Sequence, residues 1–153
     1  MDYPHARFDE DLGVVRALFK EYAFSLGIDL SFQDFDREVE ELPGAYAPPE
    51  GRVILAAQED RIVGFVALRK FSNGICEVKR LYVRPEYRGT GIGRGLATAV
   101  IKEARKCGYQ RMRLDTLAWM HEAIELYRSL GFKEIGAYRH NPVEGARFMA
   151  LAL

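Results

Sequence analysis

Apolar residues recur along the chain in two alternating rhythms, one with the period of a helix and one with the period of a strand. Leu12, Val15, Leu18, Phe19, Tyr22 and Leu26 share one helical face, with Asp9 as the expected N-cap and Gly27 as the stop. Phe32, Phe35, Val39 and Leu42 follow behind Ser31-x-x-Asp34, which has the form of a capping box, and Pro43-Gly44 ends that helix. After the Pro48-Pro49-Glu50-Gly51 loop the pattern becomes strand-like over Arg52 to Gln58, Ile62 to Lys70 and Ile75 to Val83, separated by Glu59-Asp60-Arg61 and Ser72-Asn73-Gly74. Helical spacing returns at Ile92, Leu96 and Val100, with Ala97, Ile101 and Ala104 beside them, and Cys107-Gly108 closes it. Met112, Leu114 and Thr116 then alternate with Arg111, Arg113 and Asp115 as a strand. Met120, Ala123, Ile124, Tyr127 and Leu130 mark a last helix stopped by Gly131. Phe132 to Tyr138 and Arg147 to Leu153 read as two strands around an Asn141-Pro142 turn. With a short edge strand at His5 to Phe8, the order is β-α-α-β-β-β-α-β-α-β-β. It predicts one α/β domain over residues 1–153, with an antiparallel run followed by crossover units.

One stretch of this pattern carries chemistry. The strand ending Leu81-Tyr82-Val83 runs through the loop Arg84 to Gly91, rich in glycine and opened by Pro85, into the helix that begins at Ile92. Glycines at 89, 91 and 93 let the backbone approach a ligand closely. The first amides of the new helix have no internal partner and carry the positive end of its dipole. That combination binds phosphate. A dinucleotide fingerprint would need glycine at Arg94 or Leu96, and a P-loop would need a Gly-Lys pair, which the chain lacks. What fits is Arg88-x-x-Gly91-x-Gly93.

This segment resembles the Arg/Gln-x-x-Gly-x-Gly/Ala signature of the GNAT superfamily of acyl-CoA N-acyltransferases. Leu126-Tyr-Arg-Ser-Leu-Gly-Phe132 is similar to that family's Leu-Tyr-x-x-x-Gly-Phe segment. Together with Leu114-Asp-Thr-Leu117 and the Asn-Pro turn, it also looks like one bacterial subgroup. The resemblance implies the GNAT fold, a mixed sheet with helices on both faces, and acetyl-CoA as co-substrate without a metal. It implies that Arg88, Gly89, Thr90, Gly91, Ile92, Gly93 and Arg94 hold the pyrophosphate, and that the main chain at Leu81, Tyr82 and Val83 receives the pantetheine arm like a missing β-partner. It matches Tyr127 to a tyrosine that protonates the leaving thiolate, a role suited to a phenol whose ordinary pKa is about 10. The alternative reading of Tyr127 is a core aromatic. Glu77 matches a glutamate that serves some members as general base. Strand alternation places it with Lys79 and Leu81 unless a bulge intervenes, and a salt bridge is the equally weighted reading. The sequence departs from the family at Met120, where many members carry an asparagine that bonds pantetheine.

For the acceptor, the aromatic residues Phe19, Tyr22, Phe32 and Trp119 and the loop residue His140 are candidates, although for each helix aromatic taken singly core packing is the favoured reading. Lys plus Arg and Asp plus Glu both number 22, so bulk charge offers no attraction to nucleic acid or to a membrane surface. The two cysteines, Cys76 and Cys107, read as reduced thiols of a cytoplasmic protein, and the three histidines are too scattered for a metal site. The function expected is acetyl transfer from acetyl-CoA to a primary amine of a small molecule or peptide, by direct attack in a ternary complex. The rival is a non-catalytic module that senses acetyl-CoA and binds a partner protein; such a sensor needs neither Tyr127 nor Glu77. A homodimer remains open.

Overall fold

The computed structural model describes residues 1–27 and 34–153. Among the described residues four α-helices, α1 (Leu12–Leu26), α2 (Phe35–Glu40), α3 (Ile92–Lys106) and α4 (His121–Ser129), surround six strands. These are β1 (Arg52–Gln58), β2 (Arg61–Ser72), β3 (Ile75–Val83), β4 (Arg111–Thr116), β5 (Lys133–Ile135) and β6 (Arg147–Ala152), in the spatial order β1-β2-β3-β4-β6-β5. β3 and β4 are parallel, as the α3 crossover between them requires, and the other neighbours are antiparallel.

Alternation along the strands divides the apolar residues between two cores. Ile54, Val66, Leu68, Val78 and Met112 meet Leu96 and Val100 of α3 and Tyr127 of α4 on one face. Val53, Leu55, Phe65 and Ala67 meet Val15, Leu18 and Phe19 of α1 on the other. Fully burying each such side chain contributes about 1.5–3 kcal/mol. The sheet is therefore covered on both sides, and its functional opening has to lie at a strand end or between strands.

The elements differ from the sequence expectations in three places. α1 is capped at Asp11 rather than Asp9, and the Asp11 carboxylate accepts from the Arg7 amide at 2.7 Å instead of from its own helix. The N-terminal pairing lies earlier than His5 to Phe8, as bridges from Asp2 to Ala57 and from His5 to Ile54 on the β1 edge. The strand expected over Phe132 to Tyr138 is reduced to β5, an exposed edge strand that pairs with β6 at three positions. The Ser31 capping box and Phe32 lie outside the described residues.

Candidate active site

The site originates in a defect of the sheet. β3 and β4 pair only at Ile75 with Arg111, Cys76 with Met112 and Glu77 with Arg113. Beyond Glu77, β3 continues to Val83 with no ladder on its β4 side. On its β2 side the register jumps from Ala67–Lys79 to Phe65–Tyr82, so that Val66 faces two residues. Arg80 there has φ of 64°, a left-handed conformation rare for arginine. This is a β-bulge, which bends a strand and increases its twist. It also reverses the alternation. Cys76 and Val78 face α3 before it, and Leu81 and Val83 face α3 after it, while Tyr82 turns to the α1 side. Glu77 and Lys79 therefore do not share a face with Leu81.

Past Val83 a one-turn helix at Pro85–Tyr87 leads to the glycine loop and α3. Gly91 is the N-cap of α3 with φ of 89°, a conformation available to glycine at little cost, and a Cβ there would meet nothing within 4 Å. The space in front of the helix amides is thus open. A groove of about 650 Å³ runs from this point along β3 towards its parting from β4. Leu81, Tyr82 and Val83 form its strand side, and Arg88, Gly89, Gly91, Ile92 and Gly93 its loop side. Trp119, Met120 and Leu126 close it from α4 and the segment before it. Two expected loop residues lie outside it. The Thr90 hydroxyl donates to Tyr87 O at 2.7 Å, and Arg94 donates to Ser129 Oγ at 2.9 Å, joining α3 to α4. Arg88 lines the groove but folds back, donating from Nε to Val83 O at 2.8 Å.

A second, smaller cavity adjoins the groove where β3 and β4 part, sharing Tyr22, Leu26, Leu81, Met120 and Ala123 with it. Tyr127 lines this cavity. Burial, then the nearby Tyr22 phenol and Asp115 carboxylate, raise its hydroxyl above the ordinary phenol range, so it stays protonated. Lys79, Asp115 and Asn141 line the cavity too. None of the three was singled out as a functional residue from the sequence. The available signal was the run of charges at 77, 79 and 80 within an apolar strand, together with Asp115 at a strand end.

Glu77 stands apart from both spaces. It is fully buried, accepting from Arg69 Nε at 2.9 Å and Arg139 Nη2 at 3.0 Å on one oxygen and from the Tyr138 hydroxyl at 2.7 Å on the other. Of its two sequence readings, this geometry favours the ion pair. Among the acceptor candidates, Tyr22 and Trp119 line the groove. Phe19 is wholly buried, stacked on Phe65 with ring centroids 4.9 Å apart, and His140 is exposed in the loop before β6. Among the described residues no group of His, Cys, Asp or Glu is arranged to hold a metal, and no helix is long and apolar enough to cross a membrane.

The sequence profile of the Acetyltransferase (GNAT) family matches residues 15–132. The chain belongs to this family. An N-acetyltransferase of Schizosaccharomyces pombe, whose activity its name leaves uncharacterized, is 40% identical over 149 residues, which cover 96% of this chain and 91% of that protein. The similarly named YjgM of Escherichia coli is 33% identical over 125 residues, covering 80% of this chain and 74% of its own. The fold matches that of an acetyltransferase from Streptococcus agalactiae with a TM-score of 0.78 at 20% identity, over 99% of this chain and 98% of that one. It also matches an acetyltransferase of Salmonella typhimurium whose structure includes acetyl-CoA, with a TM-score of 0.69 at 21% identity over 99% and 92% of the two chains.

GNAT proteins use acetyl-CoA, and the residues present here suit it. The open cradle before Gly91 offers amide donors to a diphosphate. The unpaired β3 edge offers main-chain groups to an extended amide-bearing arm. Met120 lines the groove with a thioether, and its sulfur accepts a weak bond from the Thr116 hydroxyl at 3.7 Å.

Proposed function

We propose that the protein is an acetyl-CoA-dependent N-acetyltransferase acting on a primary amine by direct attack. The observation that carries this reading is the continuity of the groove. It begins at the glycine loop, follows the unpaired β3 edge, and opens into the cavity lined by Tyr127. The loop amides from Gly89 to Arg94 and the main chain at Leu81 and Val83 would hold the donor, and the thioester supplies the acetyl group. Tyr127, held protonated, donates its proton to the departing sulfur. The acceptor ammonium must lose one proton before its lone pair can attack, and the new amide nitrogen loses a second. One of these two protons replaces the one that Tyr127 gave, and the other leaves for solvent. Asp115, which lines the cavity, is better placed to receive the acceptor ammonium than Glu77, which does not line it. Glu77 instead acts as a positioning residue that fixes Arg69, Tyr138 and Arg139 beneath the acceptor side.

The test is calorimetry of acetyl-CoA binding to the wild type and to Gly91→Glu. A side chain forced into a left-handed position, with its charge aimed at the diphosphate, should abolish binding. Unchanged affinity in that variant would place the cofactor elsewhere and remove the basis of the proposal.

A further inference from the structure

Lys79 and Asp115 form an ion pair on the two strands that separate, at the floor of the cavity beside Tyr127. Their side chains are 3% and 6% exposed, and Nζ lies 3.4 Å from Oδ1. Charge-assisted contacts of good geometry are shorter, at about 2.7–2.9 Å. An ammonium carries three donors, and Asp115 is the acceptor that Lys79 reaches among the described residues. Asp115 receives Asn141 Nδ2 on its other oxygen at 3.1 Å, which still leaves lone pairs on both oxygens. Burying such charges costs several kcal/mol per ion unless further hydrogen bonds complete them. Burial draws the Lys79 ammonium down to about 8, against the opposing pull of Asp115 and Glu77. Asp115 is itself pushed up by burial, but Lys79, Asn141 and Arg139 together hold it below its ordinary value. The pair is thus charged, desolvated and incompletely bonded, and it faces open space. Arg80 lines the same cavity but is engaged by Glu38 at 3.1 Å.

A ligand that completes both partners must present an anion to Lys79 and a cation to Asp115, side by side. We propose that Lys79 and Asp115 bind the carboxylate and the ammonium of a free α-amino acid, which makes that class the acetyl acceptor. The assignment rests on the acetyl-transfer reading of the same site. In an α-amino acid the two charged groups flank a single carbon, close enough to lie across a contact ion pair. Held this way, the nitrogen sits on the Asp115 side of a cavity that also contains Tyr127. The amino acid's side chain faces Leu26, Leu114 and Leu117 on the apolar wall. A peptide N-terminus presents a neutral carbonyl in place of the carboxylate and leaves Lys79 unsatisfied. A polyamine brings a second cation against it.

The experiment compares initial rates of thiol release from acetyl-CoA with the common free L-amino acids, the α-amide of each, spermidine and a short peptide. At least one amino acid should be used with kcat/KM roughly 10²-fold or more above that of its own amide, because the amide leaves a buried charge unpaired. Lys79→Gln should bring that ratio towards unity. The comparison of acid with amide uses the wild-type protein alone, so it stands even if the variant fails to fold. Amides or spermidine used as well as the amino acids would overturn the assignment while leaving acetyl transfer intact. If no amine releases thiol, acetyl transfer itself fails. Saturation-transfer NMR with the same amino acids and amides, in the presence of coenzyme A, then decides the pair: acid-selective binding upholds it, and its absence overturns it.

Discussion

At Tyr127 the surroundings and the proposed role agree. Burial and the neighbouring Tyr22 and Asp115 all disfavour a phenolate, so the hydroxyl arrives at the cavity with its proton in place. Tyr127→Phe should lower turnover by about 10²-fold or less, the lower part of the range for general acid catalysis, with acetyl-CoA affinity little changed. Steady-state rates with one confirmed acceptor, set beside calorimetry, check this; unchanged turnover with chemistry rate-limiting would return Tyr127 to the core. Glu77 shows a different balance. Its carboxylate is wholly buried and faces two guanidinium groups. Glu77→Gln keeps the shape but strands Arg139 and leaves Arg69 only its longer contact to Glu38 at 3.7 Å, and breaking a buried pair in this way costs about 3–5 kcal/mol. Chemical denaturation should reveal that loss. A variant that is fully stable yet slow would restore the general-base reading of Glu77. Both residues were visible in the sequence by type and spacing. Which of them faces open space was not, because that depends on the left-handed backbone at Arg80, which its residue type does not announce.

That conformation belongs to β3. Residue type argues against Arg80 as a left-handed residue, since arginine gains nothing there that glycine or asparagine would not provide at lower cost. The bulge is imposed by tertiary context: β2 pairs on both sides of it, and Arg80 is fixed to Glu38. The bulged strand is also held tightly to β2 at Gly64, where a Cβ would lie 2.6 Å from Tyr82 O and 3.3 Å from Val83 Cα. Gly64→Ala must therefore push the two strands apart. We expect it to cost about 1–3 kcal/mol, as overpacking does, and to weaken acetyl-CoA binding, because Tyr82 and Val83 form the groove wall. Denaturation midpoints and calorimetry on the same variant test both parts; wild-type behaviour in each would mean that the β2–β3 contact tolerates displacement. The strands themselves were legible because period-2 patterning is local. The shortness of β5 was not, since an exposed three-residue edge is set by its partner β6 rather than by its own composition.

For the whole molecule, the order of helices and strands carried most of the architecture. Two antiparallel hairpin steps followed by a crossover helix leave few topologies, and the apolar faces of α1 and α3 assign them to opposite sides of the sheet. The glycine loop proposed to hold the diphosphate was legible for the same reason, as glycines at a strand-to-helix junction. The cavity proposed for the acceptor was not, because Lys79, Asp115 and Asn141 come from separate elements and converge only where β3 and β4 part. That parting is the centre of the proposed activity, with the donor entering along the strand edge and the acceptor meeting it at Tyr127. The measurement that tests this most directly is mass spectrometry of the products after incubation with acetyl-CoA carrying a labelled acetyl group and the amine panel. Transfer at this site should place labelled acetyl on the nitrogen of an acceptor, in amounts equal to the thiol released. Tight binding of acetyl-CoA with no labelled amine from any acceptor would contradict it, and would identify the groove as a sensor of the cofactor rather than a site of transfer.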